Sequence, residues 1–178
     1  MFHVLSSLHQ SDLFLRGWIV AHRLAALDGV MWTLSALGPG GTIWLAIEAV
    51  VAWRRSKWSD FVALAVALLL ATIAADWIVK PLVHRARPFD ALPGVAVIGK
   101  RPNDSSFPSG HAANAFAGAV VLSSTRPRGR VAWWAIAAAI AYSRVYLGVH
   151  YPSDVAAGAL IGAICGAAVV FMRAHRRW

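Results

Sequence analysis

The chain has 178 residues, 58% of them hydrophobic and 14% charged, with a formal net charge of +9. Soluble domains carry roughly 25% charged residues, so this composition, with a mean hydropathy of +0.58, argues against a water-soluble core and for a membrane-embedded one. The basic excess then reads as contact with anionic headgroups and phosphates rather than with nucleic acid, and the lone cysteine, Cys165, leaves no intrachain disulfide framework.

At this length a single domain spanning residues 1–178 is expected. The opening MFHVLSSLHQSDLF has no basic n-region and only a short, interrupted apolar run, so it does not read as a cleaved signal peptide. Six apolar segments follow in chain order. Leu13–Leu37 is interrupted by Arg16, His22, Arg23 and Asp28, which suits an early part lying at the interface. Thr42–Trp53 is short, contains Glu48 and follows the turn Gly38–Gly41. Phe61–Val79, Val131–Leu147 and Val155–Met172 approach the roughly 20 residues that span a bilayer, and Ala112–Ser124 is shorter but uninterrupted. The expected fold is an all-α, polytopic transmembrane bundle of about six spans; the alternative is five spans plus an N-terminal interfacial helix.

Loop charges orient this bundle. Arg54, Arg55 and Lys57, then Arg126, Arg128 and Arg130, then Arg173, Arg176 and Arg177 all fall on one side if there are six spans. The positive-inside rule makes that side cytoplasmic and puts both termini there. The stretch Lys80–Pro108 lies on the opposite side yet holds Lys80, Arg85, Arg87, Lys100 and Arg101. Charges placed against the bias point to a function for them. Gly158, Gly162 and Gly166 form a small-residue stripe suited to close helix packing, either within the chain or, less favoured, in a dimer.

Three patches meet on the outer side. In KPLVHRARP, Lys80 and Arg87 are two helical turns apart and share a face if the segment stays helical; snorkelling at a helix end is the plainer reading. In Phe107–His111, Ser109 can cap a helix whose unpaired N–H groups favour an anion, with Gly110 allowing close approach. In SRVYLGVHYPSD, Gly148 can end one helix, Pro152 can start the next, and Asp154 can accept the ring N–H of His150. Each patch alone is equally consistent with capping and interfacial roles. Together they give a nucleophilic or basic histidine, a proton donor and cations suited to a phosphoryl group.

These residues resemble the type 2 phosphatidic acid phosphatase (PAP2) superfamily, whose pattern is met in order by Lys80…Arg87-Pro88, Pro108-Ser109-Gly110-His111 and Ser143-Arg144…His150…Asp154. The resemblance is good from Thr72 to about Gly166. It implies a membrane lipid phosphatase in which His150 is the nucleophile, Asp154 orients it and His111 is the general acid. It further implies that Lys80, Arg87, Ser109, Gly110 and Arg144 bind phosphate, with no metal and no cofactor. The small build with an outward site is similar to bacterial enzymes of undecaprenyl diphosphate or phosphatidylglycerophosphate in the cell membrane, with phosphatidic acid and lipid A phosphates as alternatives. Partners expected are membrane lipids and the lipid phosphate, not nucleic acid.

Three rival readings compete. A metal hydrolase would use His84, His111, His150, Asp104 and Asp154, but no HExxH spacing occurs and the basic neighbours oppose a divalent cation. An anion or lipid transporter would use Asp28, Glu48 and Asp76 as pathway groups, against a plainer pairing of Asp76 with Lys80 one turn on. A vanadium-dependent oxidation fits the same cradle but not the membrane setting. The loop Phe89–Ser106 is expected to help select the headgroup.

Overall fold

The computed structural model describes residues 2–175, with side chains from Ser7 onward apart from Leu8; Arg176 and Arg177 of the third basic cluster, and the side chain of His3, lie outside the described residues. All regular structure among them is helical. Helices α1 (Phe2–Ala21), α2 (Ala25–Ala36) and α3 (Thr42–Arg55) precede α4 (Trp58–Thr72), which runs on through a π-helical stretch, Ile73–Val79, into α5 (Lys80–Val83). After α6 (Pro88–Ala91) and a long loop come α7 (Gly110–Thr125), α8 (Arg130–Tyr146) and α9 (Pro152–His175).

Helix α7 is the hub. Its sequence GHAANAFAGAVVLSST is mostly small residues, and almost every one is buried against α4, α8 and α9. Small side chains let helix axes approach, and larger ones from neighbours fill the gaps: Trp44 of α3 is fully buried in the notch above Gly118. Gly158, Gly162 and Gly166 face the carbonyl oxygens of Ser109, Ala113 and Ala117, so the glycine stripe serves α7–α9 packing inside the chain. Away from this core the bundle presents Trp53, Trp77, Leu82, Val131 and Leu160, an exposed apolar girdle suited to lipid.

The structure departs from the expected segments at the N-terminal end. Leu13–Leu37 is two helices, broken at His22–Leu24, where Arg23 donates to the Ala96 carbonyl (3.1 Å) and Tyr146 donates to the Leu24 carbonyl (2.9 Å) and to Asp28 (2.7 Å). Helix α2 and the helical run Pro39–Arg55 meet at a bend of 61°. Among the described residues two helices, Trp58–Ala91 and Pro152–His175, are long and apolar enough to cross a membrane, or three if the bent pair counts as one span. Helices α7 and α8, at 16 and 17 residues, are shorter than these two, and the six expected spans are not reached.

At one end of the bundle Arg126 pairs with Glu48 (2.6 Å) and Asp60 (3.0 Å), and Arg173 also pairs with Asp60. This network ties Arg126 and Arg173 together at the end where α3, α7 and α9 finish and α4 begins. The loops that carry the sequence motifs meet at the opposite end.

Candidate active site

The first cation comes from the continuation of α4. Lys80 is buried, and its ammonium pairs with Asp76 (2.7 Å) and Asp104 (2.6 Å). The segment does not stay helical from Lys80 to Arg87. Helix α5 ends at His84, which takes a left-handed conformation (φ 49°), and Arg87 is extended (ψ 157°) because the following Pro88 disfavours helical geometry there. Arg87 still reaches the same place: it donates to the Asp104 carboxylate (2.7 Å) and carbonyl (2.8 Å) and to the Val149 carbonyl (2.8 Å). A turn of the loop, not helical periodicity, brings the two cations together.

Ser109 is the N-cap of α7, as expected, accepting from the Ala112 N–H (3.4 Å), while its own N–H donates to the Asp154 carbonyl (3.0 Å). Its hydroxyl is spent on the helix and does not line the cleft. Gly110 does: a Cβ there would lie 2.6 Å from the Asp76 carboxylate. Gly148, in a left-handed conformation (φ 82°), ends α8 and turns the chain so that His150 points inward.

A cleft of about 220 Å³ is lined by Lys80, Arg87, Gly110, His111, Arg144 and His150. Arg144, on α8, is held by the Ser35 hydroxyl of α2. Asp154 stands behind His150, its Oδ2 3.5 Å from Nδ1, a looser approach than a hydrogen bond. The other ring nitrogen, Nε2, faces the cleft 3.2 Å from the Arg87 guanidinium. Burial lowers the His150 pKa to about 4; Asp154 opposes that shift, and Arg144 and Arg87 add to it. The imidazole is therefore neutral at pH 7, and an Nε2 lone pair facing the cations is consistent with a proton on Nδ1 toward Asp154.

The cleft also holds residues that the motifs did not indicate: Pro39 and Gly40 of the bend, Asp76, Pro102, Asp104 and Asn114. Asn114 was legible in principle, since it follows Gly110 by one helical turn and so shares its face. Asp104 was not: 24 residues separate it from Lys80. Burial would raise its carboxyl, but the hydrogen bonds and charges of Lys80 and Arg87 outweigh that and hold it at about 2. Ser106 was likewise missed, whereas Arg85 stood among the outer-loop charges; both donate to Asp154, at 2.5 and 2.6 Å. His84 does not line the cleft, and among the described residues no three His, Cys, Asp or Glu side chains converge as a metal site. The acids considered as pathway groups each have a partner: Asp76 with Lys80, Glu48 with Arg126, Asp28 with Tyr146.

Two histidines and three cations facing one cleft match the order of motifs in the chain, and the family model for the PAP2 superfamily matches residues 60–178. The chain belongs to the PAP2 superfamily. Its curated relatives include an undecaprenyl-diphosphatase of Sulfolobus acidocaldarius, 32% identical over an alignment of 146 residues, which covers 79% of this chain and 68% of that protein. Among solved structures, the LpxE protein of Aquifex aeolicus superposes with a TM-score of 0.79 at 31% identity, covering 89% of this PAP2 chain and 94% of that one. A PAP2-type phosphatidylglycerolphosphate phosphatase of Bacillus subtilis superposes with a TM-score of 0.73 at 25% identity, covering 97% and 89%. The family match begins just inside α4, so α1 to α3 lie outside it.

Proposed function

We propose that this PAP2 protein is an integral-membrane lipid phosphatase that removes a terminal phosphate through a phosphohistidine. The observation that carries the reading is the placement of His150 and His111 on one cleft with Lys80, Arg87 and Arg144. His150 Nε2 attacks phosphorus, the bond to the leaving oxygen breaks, and His111 gives that oxygen its proton. Water then attacks the phosphohistidine and returns a proton to His111; the P–N bond breaks and His150 is neutral again. Asp154 orients His150 and stabilises the imidazolium as it forms, and the cations with the Gly110 N–H neutralise the phosphoryl oxygens. That role for the cations suits a reaction without a metal, so activity is expected to persist in excess chelator.

Undecaprenyl diphosphate and phosphatidylglycerophosphate are the favoured substrates, supported by the names of relatives with different headgroups. Phosphatidic acid and lipid A phosphates are the alternatives. The site faces the outside of the membrane and the basic end faces the cytoplasm. Five crossings with an interfacial N-terminal helix suit the contacts of α1, since Asp12 and Arg23 both reach residues at the site end. In this layout the N-terminal helix lies at the outer face, whereas six crossings would make the N-terminus cytoplasmic. Phosphate release from a panel of lipid mono- and diphosphates, with wild type and His150→Ala compared, tests the reading: release abolished in the variant supports it, and undiminished release overturns it.

A further inference from the structure

Helix α1 lies outside the family match, yet it reaches the catalytic dyad. Asp12 is 96% buried and unlike most of α1 points into the protein. Its carboxylate accepts from the Ser153 N–H (2.8 Å), the Ser153 hydroxyl (2.5 Å) and the Arg85 guanidinium (2.7 Å). The same guanidinium donates to Asp154 (2.6 Å) and Ser153 (2.7 Å) and lies over the Tyr151 ring, 4.1 Å from its centre. Asp12, Arg85 and Asp154 thus form one chain of charges that ends beside His150.

We propose that Asp12 is a positioning residue that balances Arg85 and so preserves the negative field of Asp154 at His150. Arg85 holds Asp154 in place, together with the Ser106 hydroxyl and the Tyr151 N–H, the latter at 2.8 Å. A guanidinium so close also cancels much of the carboxylate's charge at the ring, and that charge is what stabilises the imidazolium of the phosphohistidine step. With Asp12 the three groups sum to one negative charge; without it they sum to zero. Among the described residues Arg85 pairs with no acid besides Asp12 and Asp154. Arg16, one turn along α1, faces Tyr151 as a further cation, and Arg87 and Arg144 on the far side of His150 are cations too. An N-terminal helix outside the catalytic core therefore supplies part of the electrostatics of catalysis.

This inference rests on the phosphohistidine reading above, and a double-variant comparison separates the two. Asp12→Asn keeps an acceptor oxygen for the Ser153 N–H but removes the charge and replaces with an NH2 donor the oxygen that accepts from Arg85 and the Ser153 hydroxyl. Purified wild type, Asp12→Asn, Asp12→Glu, Arg85→Gln and the double Asp12→Asn/Arg85→Gln are assayed for phosphate release from the best lipid of the panel. Asp12→Asn is expected to lower kcat about tenfold with KM within about twofold, and Asp12→Glu to recover most of it. The double variant restores the net charge and is expected to turn over faster than Asp12→Asn. Where Asp12→Asn alone does not fold, the double variant is compared with Arg85→Gln, and because Asp12 acts by balancing Arg85 little further loss of kcat is expected. An unchanged kcat in Asp12→Asn, or losses that compound in the double variant, overturns the proposal. A wild type inert on every lipid defeats the phosphatase reading itself.

Discussion

Asp104 shows how much a single residue can set at this site. Its carboxylate accepts from Lys80 and Arg87, the two cations proposed to hold the phosphoryl group. It is half exposed on the loop, so it can leave at small cost. Asp104→Asn is expected to tighten inhibition by vanadate several-fold, because the competing anion is gone; weaker inhibition would mean that Asp104 instead braces the cations. The second expectation concerns pH. His150 is held near 4, below the ordinary value of about 6.5, so its neutral, nucleophilic form is favoured. The acid limb it contributes to kcat/KM should therefore lie near pH 4, and replacing Arg144 with Gln should move that limb upward while lowering the rate. A limb that stays in place would separate the cations from the histidine.

At the scale of elements, the α7–α9 contact decides whether the site assembles. Ser109, Gly110 and His111 start α7 and Asp154 starts α9, so the distance between these helix ends is the distance between cap and dyad. Gly162 faces the Ala113 carbonyl with no room for a side chain. Gly162→Ala is expected to cost about 1–3 kcal/mol through forced separation of the helices, read as a lower melting temperature in detergent. Local signals along the chain were legible here because they act within one turn: the Ser109 cap, the Gly148 stop and the Asp76–Lys80 pair all form. The helix does not continue from Lys80 to Arg87 for equally local reasons, the left-handed turn at His84 and the restriction that Pro88 places on Arg87.

Across the whole molecule, charge is sorted to the two ends by different means. The Glu48–Arg126–Asp60–Arg173 network ties helix ends that are far apart in the chain. Arg126→Met leaves Glu48 buried without its partner and is expected to cost about 3–5 kcal/mol. Because the network lies at the end away from the cleft, kcat and KM of the protein that remains folded should not change. Orientation is open to a direct check. In a chain with Cys165 replaced, Lys100→Cys should react with a membrane-impermeant thiol reagent added outside intact cells, whereas Lys57→Cys should not. The reverse pattern would invert the topology proposed here.

The sequence alone determined the membrane character, the helical class and the motif residues of the cleft, Lys80, Arg87, Gly110, His111, Arg144 and His150. Composition, short-range capping and motif order are properties of the chain itself, and they need no partner to be read. Tertiary structure decided what those residues touch. Asp104 lies 24 residues from Lys80, Arg85 lies 69 from Asp154, and Asp12 lies 141 from Ser153. No helical or turn periodicity links positions so far apart. Only the packing of α1, α7 and α9 brings their charges to within hydrogen-bonding distance, and in a buried setting that distance governs how strongly each charge acts on His150.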